Sequence, residues 1–175
     1  MPESDESLMK QIALGSHPHL ETLIRRHAQS VFTFATRYLG SVQRGEEAFQ
    51  DTILALWARR SSYRCPDNFR PWLFRIALNK CRQLLRPSDA LTRENAADPD
   101  HLDTSHAPSP STSPLETALA LLPDQQRAIL ILRLWNGMSC AEIAETLNLS
   151  ECTIPSAIHN ALANLHRHLD PGLSV

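Results

Sequence analysis

Apolar residues recur along this chain at three- and four-residue spacing, and no run shows the strict alternation, bounded by turns, that a half-buried strand requires. Leu20, Leu23, Ile24, His27, Val31, Phe34, Ala35, Tyr38 and Leu39 make one such stripe, which predicts an amphipathic helix ended by Gly40. A second helix is expected over residues 44–59, with Ala48, Phe49, Thr52, Ile53, Leu56 and Trp57 inside and Glu46, Glu47, Gln50 and Asp51 in its first turns. After a loop over 61–67, Asn68 can cap a third helix. Pro71 would be the third residue of that helix, where the missing N–H costs no intrahelical bond. Trp72, Leu73, Ile76, Ala77, Cys81, Leu84 and Leu85 turn inward there. Arg70, Arg75, Asn79, Lys80, Arg82 and Arg86 are left for solvent or a polyanion.

The second periodic half opens with a short helix over 115–122 and a longer one that Pro123 should start, running through Ile129, Leu130, Leu132, Leu134 and Trp135 to a stop at Gly137. Ser139 and Glu142 have capping-box spacing and predict a two-turn helix that buries Ile143, Ala144 and Leu147. Asn148 suits a left-handed turn, and Ile158, Leu162, Leu165 and Leu169 stripe a final helix. A very short capped helix, a tight turn and a second helix make a helix-turn-helix. If Ser150 caps the last helix, Pro155 falls in its interior at a cost of roughly 3 kcal/mol. The preferred reading starts the helix later, with Thr153 as cap and Pro155 as second residue.

Between the halves, residues 87–114 hold five prolines among Ser, Asp, Thr and Ala and have little to bury, so a flexible Pro/Ser-rich, acidic linker is expected. The fold class is therefore all-α, with two small helical domains at 1–86 and 115–175.

Composition and charge narrow the function classes. With 42% hydrophobic and 21% charged residues the chain can bury a core. No stretch approaches the roughly 20 apolar residues of a membrane span, so no membrane insertion is expected. The acidic start of the chain lacks the basic and apolar regions of a signal peptide, which points to the cytoplasm. The four cysteines, Cys65, Cys81, Cys140 and Cys152, form no C-x-x-C and read as free thiols; Cys81 falls on an inner face, and a metal or redox pair of Cys140 and Cys152 is the less favoured reading. The net charge of −2 is uneven. Residues 41–86 carry nine basic and four acidic side chains, whereas 115–175 carry three basic and six acidic. A nucleic-acid surface belongs in the first domain on that count. No phosphate-binding glycine loop, ligand-spaced His/Cys set or nucleophile–base arrangement stands in the sequence, so no enzyme, small-molecule substrate, cofactor or metal site is expected.

Three stretches resemble the sigma-70 family of bacterial transcription initiation factors, specifically the small extracytoplasmic-function type. Residues 45–57 (GEEAFQDTILALW) resemble the helix that binds the clamp of the largest polymerase subunit. Residues 68–82 (NFRPWLFRIALNKCR) resemble the promoter-melting helix, and 122–130 (LPDQQRAIL) with 137–147 (GMSCAEIAETL) resemble the fourth region. The resemblance implies two helical domains that direct core RNA polymerase to promoter DNA, help to open it, and are restrained by an anti-sigma factor. It makes Glu46, Glu47, Gln50 and Asp51 candidates for polymerase contact. Tyr63, Arg64, Asn68 and Phe69 become candidates for capturing unstacked bases, Arg75, Asn79, Lys80 and Arg82 for lying along the duplex, and Trp72 belongs with them to the promoter-melting set. Ser150, Thr153, Ser156, Ala157, His159 and Asn160 would form the upstream-element recognition surface.

That last surface departs from the family, which usually places lysine and arginine there; here none occurs on the helix before Arg167. Phosphate contacts supply much of DNA affinity. The second domain should therefore bind duplex DNA weakly unless tethered, or serve protein contacts instead. His159, His166 and His168 read as polar surface, and His27 as a boundary residue. The alternative to an initiating factor is a sigma-like adaptor or decoy that binds an anti-sigma factor or polymerase.

Overall fold

The computed structural model describes residues 3–64, 68–86 and 113–169. Among these the chain forms eight α-helices and two 3-10 turns: α1 Asp5–Ala13, α2 His17–Leu39, α3 Val42–Ala58, α4 Phe69–Leu85, α5 Pro114–Ala120, α6 Asp124–Leu134, α7 Cys140–Leu147 and α8 Ile154–Leu169. The expected linker over 87–114 lies outside the described residues except for its last two positions, and so does Cys65.

Helix α1 is not anticipated by the sequence reading. The Ser4 hydroxyl accepts from the Ser7 N–H, and Leu8, Met9 and Ile12 bury a narrow stripe against α2. Asp5 ties the helix down: its carboxylate accepts from Arg26 Nη1 at 2.8 Å and from His27 Nε2 at 2.7 Å. His27 is thereby a boundary residue, as expected, half-buried between that carboxylate and the Phe69 ring.

Helices α2, α3 and α4 form the core of the first lobe around Phe34, Tyr38, Leu56, Leu73, Phe74 and the buried Cys81. Gly40 ends α2 in the left-handed region, at φ +64°. Gly45 allows α3 to approach α2, because a Cβ there would lie 2.8 Å from the Thr36 Cα and 2.3 Å from its Oγ1.

In the second lobe the expected capping box is present in full: the Ser139 hydroxyl accepts from the Glu142 N–H while the Glu142 carboxylate accepts from the Ser139 N–H. Asn148 takes the left-handed turn at φ 55°. Two boundaries differ from expectation. Pro123 is the cap rather than the first residue of α6, because its ψ of 144° is extended; Asp124 then puts a carboxylate at the positive helix end. A 3-10 turn, Glu151–Thr153, precedes α8, so Pro155 is the second helical residue. The later start is the one found, and the proline's missing N–H removes no helical bond. Ser150 and Thr153 consequently sit in the turn rather than on the recognition helix.

The lobes are packed on each other. Ile129, Ile131, Leu132, Met138, Ile143 and Ile154 belong to the same buried cluster as the core of α2 and α4. A smaller cluster, with Leu119, Leu122, Leu130, Ala161 and Leu165, joins α5, α6 and α8.

Candidate nucleic-acid interface

Helix α3 presents one exposed stripe. Val42, Glu46, Gln50 and Leu54 follow at four-residue intervals and all are exposed, with Glu47 beside them and Asp51 half-buried. Leu54, 68% exposed, extends the acidic stripe with an apolar end that sequence reading left out. The signal was available: its spacing from Glu46 and Gln50 puts it on the same outward face.

At the start of α4 three rings meet. Tyr63 lies edge-on to Trp72 at 5.2 Å between centroids and to Phe69 at 6.1 Å, and Phe69 and Trp72 are 6.1 Å apart. Phe69 is 1% exposed, so its ring supports the cluster from below while Tyr63 and Trp72 are half-buried. Arg64 and Asn68 are exposed beside them. Asn68 occupies the cap position of α4 but makes no capping hydrogen bond; its Nδ2 donates instead to Glu145 Oε2 of α7 at 3.1 Å.

The basic face of α4 is where the structure departs most from expectation. The sequence leaves these cations to solvent or a polyanion, whereas several of them bond to the second lobe. Arg82 Nε and Nη2 donate to Asp124 Oδ2 at 3.1 and 2.5 Å. Arg70 donates to Glu142 Oε1 at 3.4 Å and to the Asn136 carbonyl. Arg75 donates to the Glu145 carbonyl. Asn79 is exposed, and Lys80 donates to Gln83 within α4.

Other polar pins close the same seam. The Tyr38 hydroxyl donates to Asp124, and burial first, then the adjoining carboxylate, pushes its ionisation well above the ordinary phenol range. Asn136, in the turn after α6, is 6% exposed and its Nδ2 donates to the Ser30 carbonyl at 2.9 Å. Arg127 Nη1 reaches the Tyr38 carbonyl at 3.3 Å, and the Arg37 guanidinium stacks 4.6 Å from the Trp135 ring. Sequence reading missed Tyr38, Asp124, Asn136, Glu142 and Glu145 as a set. The only hint was the opposed charge of the two halves.

On α8, Ser156, His159 and Asn160 are exposed, whereas Ala157 is half-buried against the core. The Ser156 hydroxyl donates to the Thr153 carbonyl at 2.9 Å and Thr153 Oγ1 to the Ser150 carbonyl at 2.6 Å, which ties the turn to the helix start. Cys140 is half-buried at the start of α7, Cys152 is exposed with its Sγ 2.9 Å from Ser150 Oγ, and burial pushes the Cys81 thiol up to about 12. Among the described residues no group of three or more His, Cys, Asp or Glu could hold a metal ion, and no helix is long and apolar enough to cross a membrane.

Each lobe of the chain matches a known family. The sigma-70 region 2 family matches residues 23–90 and the sigma-70 region 4 family residues 113–165. The RNA polymerase sigma factor NccH of Alcaligenes xylosoxydans xylosoxydans is 32% identical over 94% of each chain. The ECF RNA polymerase sigma factor SigM of Mycobacterium tuberculosis is 28% identical over 98% of this chain and 89% of its own. The solved structure of CnrH in complex with the cytosolic domain of CnrY is similar at a TM-score of 0.76 and 27% identity, covering 97% of this chain and 99% of that one. The chain belongs to the sigma-70 family of RNA polymerase sigma factors, in its extracytoplasmic-function type.

Proposed function

We propose that this protein directs core RNA polymerase to specific promoters and assists their melting, acting as a transcription regulator rather than an enzyme. The observation that carries the reading is one chain holding three surfaces: the exposed stripe of α3, the ring cluster at the start of α4, and a capped helix-turn-helix. Glu46, Glu47, Gln50 and Asp51, with Leu54, bind polymerase. Tyr63, Trp72, Arg64 and Asn68 take unstacked bases, because half-buried rings beside exposed amide and guanidinium donors suit single-stranded DNA; Phe69 braces them. Arg75, Asn79, Lys80 and Arg82 follow the phosphate backbone. Ser156, His159 and Asn160 meet the upstream element, with Ser150, Thr153 and Ala157 shaping the turn beneath them. The working units are residues 1–86 and 115–175, joined by 87–114, and the site of action is the cytoplasm. An anti-sigma factor is the partner that restrains it; the solved relative CnrH is bound by a cytosolic domain of another protein.

Transcription with purified core polymerase and a library of promoters tests this reading. A promoter-dependent transcript that disappears when Glu46 and Gln50 are replaced by Ala is the expected result. No transcript from any promoter, alongside tight binding to an anti-sigma factor, would favour the adaptor reading. The covered cations of α4 and the uncharged face of α8 are what keep that second reading in view.

A further inference from the structure

Asp5, the first residue of α1, uses both carboxylate oxygens on α2. Oδ1 accepts from Arg26 Nη1 at 2.8 Å and Oδ2 accepts from His27 Nε2 at 2.7 Å. The second bond is well shielded, with 24% of the Asp5 side chain and 16% of the His27 side chain exposed. Beyond it, the imidazole lies 5.3 Å from the Phe69 ring, tilted by 57°. Phe69 stands in turn 6.1 Å from both Tyr63 and Trp72. One line of contacts therefore runs from the start of α1 to the rings that take bases in the reading above.

Holding α1 in place does not require the His27 bond. Leu8, Met9 and Ile12 are buried, and Arg26 Nη1 joins Asp5 to the Glu3 carbonyl at 2.7 Å. What the bond adds is a fixed imidazole, since a histidine held at one ring nitrogen keeps its orientation. Orientation matters at this position because His27 and Phe69 both border a small apolar cavity, together with Leu23, Ile24, Val31 and Phe49. A ring with empty space beside it lacks part of the close packing that immobilises a core residue. Phe69 thus depends on His27 for a brace when a base presses on the rings above it. Helix α1 also packs on the 3-10 turn Arg60–Ser62, which leads directly into Tyr63.

We infer that Asp5 and His27 are positioning residues for promoter opening: the pair holds Phe69, and through it Tyr63 and Trp72, in the arrangement that captures unstacked bases. Both act through Phe69 rather than on DNA itself. The inference rests on the assignment of the ring cluster to single-stranded DNA.

The test uses the full chain assembled with core polymerase on a promoter that the wild type transcribes, with 2-aminopurine in the melted segment to report opening. Wild type is compared with Asp5→Asn, His27→Gln, their double variant and a Glu21→Gln control, which removes the exposed Arg25–Glu21 ion pair within α2. Asn at position 5 leaves one acceptor oxygen for two donors. Gln at position 27 retains a donor for Asp5 but offers Phe69 no ring. Each single variant is expected to open the duplex promoter about five-fold more slowly than wild type, with polymerase affinity unchanged and the control like wild type. On a template already unpaired across the melted segment the defect should largely disappear, because capture no longer has to drive opening. The double variant should be no slower than His27→Gln alone, since Asp5 acts through that ring.

A defect equal on duplex and unpaired templates, or one that follows a loss of polymerase affinity, would mark a merely structural role and overturn the inference. Multiplied effects in the double variant would overturn it too. If His27→Gln fails to fold, Asp5→Asn alone decides by the same comparison of templates. A wild-type chain that transcribes no promoter overturns the proposed function and this inference with it. A transcribing wild type whose variants open the duplex as fast as the control overturns the inference alone.

Discussion

Arg82 of α4 and Asp124 of α6 meet across the lobe boundary, with Nε and Nη2 donating to one carboxylate oxygen at 3.1 and 2.5 Å. The pair is the most directly bonded of the ionic contacts along the seam, and Tyr38 adds a third donor to the same carboxylate. Replacing Asp124 by Asn keeps the shape but removes the charge and one of the two acceptor oxygens, both of which are engaged. Because more than a third of the Arg82 side chain is exposed, solvent screening limits the loss to about 1–2 kcal/mol. Urea denaturation at low and high salt should show the ionic part of the loss shrinking as salt rises, while the part due to the lost acceptor oxygen stays.

Tyr38 supplies a pH dependence. Its hydroxyl is buried and its ionisation is raised, by burial first and by the Asp124 charge and hydrogen bond next. In the unfolded chain the same phenol ionises near its ordinary value of about 10. Between the two values the unfolded state has lost a proton that the folded state retains, so stability falls as pH rises above about 10 and is unaffected below it. The chain has two tyrosines. Absorbance titration at 295 nm of wild type and Tyr38→Phe should differ only in the ionisation that coincides with alkaline unfolding. A difference between them at lower pH would contradict the buried placement.

The helix-turn-helix was legible in the sequence because its determinants are local: Ser139 and Glu142 lie three residues apart, and Asn148 takes its left-handed turn without help from elsewhere. Pro155 even selected the later start of α8, since only that start leaves its ring harmless. The lobe seam was not legible. Arg82 and Asp124 are 42 residues apart and Asn136 and Ser30 are 106 apart, so no periodicity connects them. A basic helix face also looks the same in sequence whether water, phosphate or a carboxylate of the same chain meets it. Helix α1 escaped for a different reason: three buried residues on nine make too short a stripe to stand out from a loop.

Gly45 is a packing requirement rather than a flexible point. A methyl group there would meet the Thr36 backbone, which cannot move aside as a side chain can. Gly45→Ala should separate α2 from α3 and lower stability by about 1–3 kcal/mol, despite the better helix propensity of alanine. Thermal unfolding by circular dichroism would register this as a clear drop in Tm. An unchanged or higher Tm would mean that α3 is not seated as described.

The thiols offer a readout of the fold that needs no partner. Cys81 is fully buried and its thiol is pushed up to about 12, so its thiolate fraction at pH 8 is on the order of one part in ten thousand. Cys152 is exposed in the turn before α8. In a Cys65→Ser background, N-ethylmaleimide should label Cys152 within minutes and Cys81 only after denaturant is added, as followed by peptide mass spectrometry. Rapid labelling of Cys81 in buffer would show that α4 leaves its place on α2 and α3 far more readily than its packing implies.

The uncharged face of α8 makes a quantitative prediction about the second lobe. Ser156 and Asn160 are exposed one helical turn apart, and neither belongs to the seam with α4. Ser156→Lys combined with Asn160→Arg adds two cations to the surface that meets duplex DNA in the proposed function. Each new phosphate contact steepens the dependence of log affinity on log salt by about 0.9, so two contacts should change the slope by up to about 1.8 and raise affinity most at low salt. Fluorescence anisotropy with promoter duplex, on the full chain at four salt concentrations, measures both quantities. If affinity rises equally for unrelated sequences, the added cations have supplied only backbone attraction. If the slope does not change at all, α8 does not lie against the duplex, and the weight of promoter recognition rests on α4 alone.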